Sequence, residues 1–178
     1  MSFIAAEDLF DTLFHVSSSA LRLETRESYG VPYENEPLTR YLAGRRVDTS
    51  YMDAWSAYIR DLRARGVLFR RVRVLNVPLS EYQRFGLAQA AINDAAGEEL
   101  RYLDRTSTTA AVLPGYDYWV FDEQAVGVLE FDSRDDLVGA HVVRDERFVR
   151  QHLAWLQAAW PDAMSYRQFR AAHPVADL

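Results

Sequence analysis

A basic segment between residues 60 and 73 carries the densest charge in the sequence. Asp61 is the one acid in this segment. The arginines are Arg60, Arg63, Arg65, Arg70, Arg71 and Arg73. Arg71 and Arg73 alternate with apolar residues, so a β-strand would place them on one face. Guanidinium groups bind carboxylates and phosphates through paired N–H donors. We favour a strand face paired with carboxylates from neighbouring strands; a patch for an anion or a protein partner, or a nucleic-acid contact, are the alternatives.

A second group that could do chemistry is the aromatic stretch from Asp117 to Asp122, which reads Asp-Tyr-Trp-Val-Phe-Asp. Its alternation is typical of a half-buried strand, with Trp119 and Phe121 on one face and Tyr118 on the other. Core packing is the first interpretation of such rings. The alternative is one wall of an apolar ligand pocket with Asp117 and Asp122 at its edges.

Several classes of site lack the residues they need. The chain has no cysteine and no lysine, which excludes thiolate metal sites and lysine or cysteine catalysis. The histidines, His15, His141, His152 and His173, form no pair at metal-ligand spacing. No glycine-rich phosphate loop and no nucleophile elbow occurs. We therefore predict no catalytic residue, no metal ligand and no cofactor.

Composition limits the partners and the location. The formal net charge of −6 disfavours direct binding to nucleic acid. The absence of cysteine, of a signal-peptide pattern and of a long apolar run predicts a cytoplasmic protein without membrane contact. The chain length is typical of one domain.

Periodicity and capping residues predict the elements that must position these side chains. Helices are predicted over residues 6–16, 34–43, 50–64, 80–95 and 145–160, with a short last helix that begins after Ser165. Strands are predicted over residues 20–25, 67–75, 99–103, 117–121, 125–131 and 137–143.

These elements predict an α/β or α+β fold. We expect a mixed sheet of about five or six strands with an antiparallel C-terminal meander and helices packed on the sheet. The single domain would span residues 1–178. Within it, 1–66 would be a mostly helical N-terminal part, 67–160 the sheet core, and 161–178 a C-terminal helix and tail.

Five blocks, read in order, resemble a known family. They are Leu21–Thr25, Phe69–Arg73, Tyr82–Phe85, Ala96–Leu103 and Tyr116–Asp122. The set is similar to an uncharacterised actinobacterial family, domain of unknown function six thousand eight hundred and seventy-nine, over nearly the whole chain. Members are often encoded beside helix-turn-helix regulators and small partner proteins, which implies a regulatory or accessory role. The blocks complete the set of candidate binding residues: Arg22, Glu24, Arg71, Arg73, Arg84, Asp117, Trp119 and Asp122.

A second resemblance is to half of a phospholipase-D-like domain, in which a strand with a His-x-Lys-x(4)-Asp motif precedes a turn and another apolar strand. Placing Asp122 at the aspartate of that motif puts Gly115 at its histidine and Asp117 at its lysine. Two of the three chemical groups are missing. This resemblance therefore implies an inactive phosphodiesterase-like remnant.

The function we expect is that of a non-catalytic accessory or regulatory protein that acts through a protein partner, with a helix-turn-helix regulator as the candidate partner. The alternative is a small-molecule-binding protein or tailoring enzyme of a natural-product pathway. A cleft in which arginines and acids face one another would favour the alternative, whereas a flat apolar patch would favour the partner.

Overall fold

One mixed sheet of eight strands forms the centre of the computed structural model, which describes residues 1–178. In chain order the strands are β1 (Ser2–Ala5), β2 (Ser19–Glu24), β3 (Leu68–Leu75), β4 (Glu99–Asp104), β5 (Tyr118–Phe121), β6 (Ala125–Phe131), β7 (Leu137–Val143) and β8 (Met164–Ser165). Their order in the sheet is β1-β7-β6-β5-β2-β3-β4-β8. β2, β3 and β4 run parallel, and all other neighbours are antiparallel. The predicted meander is β5, β6 and β7.

The prediction of about five or six strands was too low because the two outermost strands were missed. β1 has four residues and pairs with β7, and β8 has two residues and pairs with β4. Such short edge strands carry too little alternation to be recognised in the sequence. The sheet also extends beyond residues 67–160, since β1 and β2 precede that segment and β8 follows it.

The helices begin close to the predicted positions. They are α1 (Leu9–Leu13), α2 (Asn35–Leu42), α3 (Asp53–Ala64), α4 (Glu81–Ala96), α5 (Thr108–Ala111), α6 (Glu146–Asp162) and α7 (Tyr166–Ala172). Ser80 and Gln83 form a reciprocal capping box at the start of α4, and the Asp145 side chain accepts from the Phe148 N–H at the start of α6. α5 was not predicted. None of the helices combines the length and the apolarity that a membrane span requires.

The two faces of the central strands meet different neighbours. On one face, Leu23, Val72 and Val120 pack with Leu153 and Leu156 of α6 in an apolar cluster. The opposite face is covered by α1, α3 and α4. It is apolar towards the β5–β6 end, but in its middle the alternation of β2 and β3 presents charged side chains. This polar patch lies under helices, which places it inside the protein.

Candidate ligand-binding site

A cavity of about 480 Å³ lies between the charged part of the sheet and the helices that cover it. β2 contributes Arg22 and Glu24, β3 contributes Arg71 and Arg73, and β5 contributes Trp119. The register explains the grouping, because Arg22 is paired with both Arg71 and Trp119, and Glu24 with Arg73. Side chains opposite each other on neighbouring strands share a face. Residues almost a hundred positions apart in the chain therefore line one wall.

Arg71 is fully engaged within this wall. Its Nε and Nη2 donate to the two carboxylate oxygens of Glu98 at 2.7 Å each, and its Nη1 donates to Glu24 Oε1 at 3.0 Å. Burial would lower the pKa of Arg71, but the charges of Glu24 and Glu98 outweigh it and raise the pKa above its usual value. Arg71 is thus a permanent cation held by two acids.

Glu24 is shared by three arginines. Its carboxylate lies 3.0 Å from Arg22 Nη1, 3.0 Å from Arg71 Nη1 and 3.4 Å from Arg73 Nε. Burial alone would raise the pKa of Glu24, but the charges of Arg22, Arg71 and Arg73 outweigh burial and lower the pKa to about 2. Glu24 is therefore ionised at neutral pH.

Arg73 is held less closely than Arg71, since its contact with an acid is the 3.4 Å ion pair between Nε and Glu24. Arg73 is only 8% exposed, yet its Nε and Nη2 make no hydrogen bond. Arg22 Nε is also buried without a hydrogen-bond partner. These nitrogens are fully enclosed by the protein, so they do not open onto the cavity, although both side chains line it.

Aromatic rings surround these two guanidinium groups. Arg22 lies 5.1 Å from the centroid of the Trp119 ring and 5.8 Å from that of Tyr29. Arg73 lies 5.5 Å from the centroid of Tyr29 and 5.9 Å from that of Tyr82. These are cation–π distances. The rings therefore stabilise the positive charge of both groups.

Gly86 of α4 permits the guanidinium group of Arg73 to lie against that helix. A Cβ atom at position 86 would come within 2.8 Å of Arg73 Nη1. Any larger residue would force either the helix or the guanidinium group to move. Gly86 is therefore part of the site through its lack of a side chain.

Glu34 and its hydrogen-bond partners form a second polar group in the cavity lining. The Glu34 carboxylate accepts from the Tyr82 hydroxyl at 2.8 Å and from Gln89 Nε2 at 3.0 Å. Gln89 Nε2 also donates to the Tyr51 hydroxyl at 2.8 Å. Burial, and then the charge of Glu34, raises the pKa of Tyr82 well above its usual value. Tyr82 thus remains a neutral donor.

Of the eight predicted candidates, five line the cavity and three do not. The five are Arg22, Glu24, Arg71, Arg73 and Trp119. Asp117 lies behind this wall, where it accepts from the Thr25 N–H at 2.7 Å and from the Tyr29 hydroxyl at 2.5 Å. Arg84 is on α4 but exposed to solvent.

Asp122 does not lie at a pocket edge, contrary to the prediction. Its carboxylate accepts from the backbone N–H groups of Ser17, Ser18 and Ser19 at 2.7 to 3.1 Å, which fastens the start of β2 to the β5–β6 turn. Burial would raise the pKa of Asp122, but these hydrogen bonds outweigh it and lower the pKa well below its usual range. The role of Asp122 is therefore structural.

The arginines of the basic segment, residues 60–73, lie in different parts of the structure. Arg71 and Arg73 point into the protein, whereas Arg70 lies on the opposite face of β3, where its Nε donates to Glu99 at 2.8 Å. The arginines at positions 60, 63 and 65 are exposed on or just after α3. The segment is thus not one surface patch.

Sequence reasoning missed the residues that α4 contributes. Tyr82, Gly86, Gln89 and Asn93 all line the cavity, at intervals of four, three and four residues. Residues at this spacing lie on one face of a helix. The polar side chains along that face of an otherwise buried helix are the signal in the sequence that could have indicated these four residues. Tyr29 and Glu34 lie in an irregular segment, and no pattern indicates their position.

Comparison with known proteins places the chain in a family without a described activity. No curated protein matches the sequence. The predicted resemblance to a phospholipase-D-like domain is not supported by the comparison. A family model described as Domain of unknown function (DUF6879) matches residues 7–171, nearly the whole chain, and the protein therefore belongs to that family.

Proposed function

We propose that this protein binds a small organic molecule in the cavity, with Arg22 and Arg73 holding a polar group of that molecule. The observation that carries the proposal is a mainly apolar cavity of about 480 Å³ whose lining includes the cationic side chains of Arg22 and Arg73. Guanidinium groups bind oxygen atoms of ligands through their N–H donors.

The size and lining of the cavity support a ligand of this kind. Its volume of about 480 Å³ lies in the range of small-molecule sites, roughly 300–1,000 Å³. Most of the lining is hydrophobic, with rings that include Phe14, Trp55 and Trp119. A few polar groups within a mainly apolar cavity are typical of sites that bind and orient a small molecule.

Binding is a better proposal than catalysis because of the protonation state of the site. Glu24 is the acid that contacts the arginines of the cavity wall, and its pKa is about 2. A general acid or base works best when its pKa lies near the working pH. Glu24 is therefore suited to hold the arginines in place and poorly suited to transfer protons.

The test is a ligand-capture experiment. The purified protein is incubated with a small-molecule extract of its native host and washed, and the released compounds are identified by mass spectrometry. The Arg73→Met variant should capture none of the compound that the wild-type protein captures. Arg70→Met is the matched control, because it removes an arginine from the other face of the same strand. Equal capture by all three proteins, or by none, would contradict the proposal.

An accessory role through a protein partner, such as a helix-turn-helix regulator, is a second proposal. One observation favours it: β1 is at the end of the sheet order, so its outer edge pairs with no strand, and Phe3 on it is 48% exposed. An open strand edge with an apolar side chain is a surface to which a partner can add a strand.

This second proposal is tested by co-purification of a regulator from the native host. Phe3→Glu should abolish the complex, whereas Leu42→Glu should not, since Leu42 is equally exposed at 48% but lies on α2. An intact complex with the Phe3 variant would exclude β1 as the contact.

A further inference from the structure

The charged side chains of the sheet wall balance one another. Arg22, Arg71 and Arg73 form ion pairs of 4.0 Å or less with three acids. These acids are Glu24, Glu98 and Asp117. Three positive charges therefore meet three negative charges, and the wall offers a ligand no net charge.

Glu34 is the charged residue of the cavity lining that remains outside this balance. The other acid of the lining, Asp135, is paired with Arg26. Glu34 forms an ion pair with no residue of the chain. Its carboxylate accepts only from neutral donors, the Tyr82 hydroxyl at 2.8 Å and Gln89 Nε2 at 3.0 Å. The lining thus contains one carboxylate without a counter-charge.

Two tyrosine rings near Glu34 have faces that no arginine occupies. Tyr33 and Tyr51 both line the cavity, and their ring centroids are 6.1 Å apart. Burial raises the pKa of both hydroxyls, and the charge of Glu34 raises it further, which places both near that carboxylate. No guanidinium group lies over either ring. The electron-rich face of an aromatic ring attracts a cation, so the rings and the carboxylate favour the same kind of ligand group.

An organic cation matches these surroundings better than a metal ion. Divalent cations such as calcium take several oxygen ligands, and no cluster of three or more acidic or histidine side chains occurs in the structure. The neighbours of Glu34 are instead phenol rings and a side-chain amide. An ammonium group needs only one carboxylate to accept its charge-assisted hydrogen bond, and its remaining surface can lie against aromatic faces.

From these observations we infer that the ligand is an organic amine, whose ammonium group binds Glu34 beside the rings of Tyr33 and Tyr51. The inference rests on the proposed binding function and specifies its ligand class. The ammonium group donates to the Glu34 carboxylate, and the mainly apolar lining receives the rest of the molecule. Glu34 then determines specificity for the amine.

The experiment uses three matched probe series with phenyl, naphthyl and indolyl rings: aryl ethylamines, the corresponding neutral aryl ethanols, and the anionic aryl propionates. Binding to the full chain is measured by isothermal titration calorimetry at pH 7, where aliphatic amines are protonated. We expect at least one amine to bind about 10- to 100-fold more tightly than its alcohol and its acid, the usual effect of charge-assisted hydrogen bonds.

Two variants assign this preference to one carboxylate. Glu34→Gln removes the charge and keeps the size of the side chain, so it should abolish the preference for the amine. Glu36→Gln is the matched control, because Glu36 is close in the chain but lies outside the cavity lining, with a side chain that is 68% exposed. It should retain the preference. A preference that survives in Glu34→Gln would overturn the inference.

Each other outcome overturns the inference in a different way. Equal binding of an alcohol would show that the site recognises the apolar body without the charge, and tighter binding of an acid would show that the arginines select the ligand. Both would leave the proposed binding function standing. If no probe binds, the amine assignment fails, and the host-extract experiment decides separately whether the binding function fails. The comparison between series uses the wild-type protein, so it does not depend on the folding of a variant.

Discussion

The two faces of the central strands differ in how completely their side chains are used. Towards α6, Leu23, Val72, Tyr118 and Val120 are at most 1% exposed and form one packed cluster. Towards the cavity, the same strands carry Arg22 and Arg73, each with a buried N–H group that makes no hydrogen bond. One face of the central strands is therefore held by apolar packing, whereas the other depends on buried ion pairs whose hydrogen bonds are incomplete.

The largest effect is expected on the α6 face, from Tyr118→Ala. Tyr118 is fully buried, and its hydroxyl donates to the backbone carbonyl of His152 at 2.9 Å. Deleting a buried large ring typically lowers the free energy of unfolding by about 3–5 kcal/mol. Urea denaturation measures this change. Tyr116→Ala is the control, since Tyr116 is 37% exposed, and a similar loss for both variants would contradict the distinction.

On the cavity face, Arg71→Gln should cost about 3 kcal/mol or more. This substitution leaves Glu98 buried without its two-bond partner, and breaking one side of a buried ion pair typically costs about 3–5 kcal/mol. The matched control is Arg70→Gln on the same strand. Its partner Glu99 is about half exposed, so the expected loss is below about 1 kcal/mol. If the two variants melt alike, Arg71 has no special structural role.

The stability that Glu24 provides should depend on pH. Its pKa is lowered from 4.5 to about 2 on folding, so its contribution, about 3 kcal/mol, is fully present above pH 4.5 and is lost as the pH falls towards 2. The free energies of unfolding of the wild-type protein and of Glu24→Gln should therefore converge between pH 5 and pH 2. A difference that stays constant over this range would show that Glu24 does not act through its charge.

The smallest effect on stability is expected from Arg73→Met. Because Nε and Nη2 of Arg73 make no hydrogen bond, replacing the side chain by an apolar one removes unsatisfied donors. The free energy of unfolding should remain within about 1 kcal/mol of the wild-type value while ligand capture is lost. A loss as large as that of Arg71→Gln would mean that the ion pair with Glu24 is what keeps Arg73 in the core.

Part of the site could be predicted from local pattern. The alternation around Arg71 and Arg73 placed both on one strand face, and the alternation around Trp119 separated it from Tyr118 in the way the structure has it. Asp122 was misplaced because a carboxylate at the end of a strand can border a pocket or cap a neighbouring turn. Its three backbone donors, residues 17–19, are more than a hundred positions away.

Local patterns in the sequence were enough to predict helix caps and strand faces. The capping residues Ser80 and Asp145 start their helices, and strand alternation assigns each residue of β2, β3 and β5 to one of two faces. The position of β2 between β3 and β5 could not be predicted in this way, and this order brings Arg22 and Glu24 beside Arg73. The packing of Gly86 of α4 on the Arg73 guanidinium group is likewise visible only in the folded protein. Strand faces and helix caps depend on neighbours in the chain, whereas strand order, register and close approach depend on contacts between distant segments.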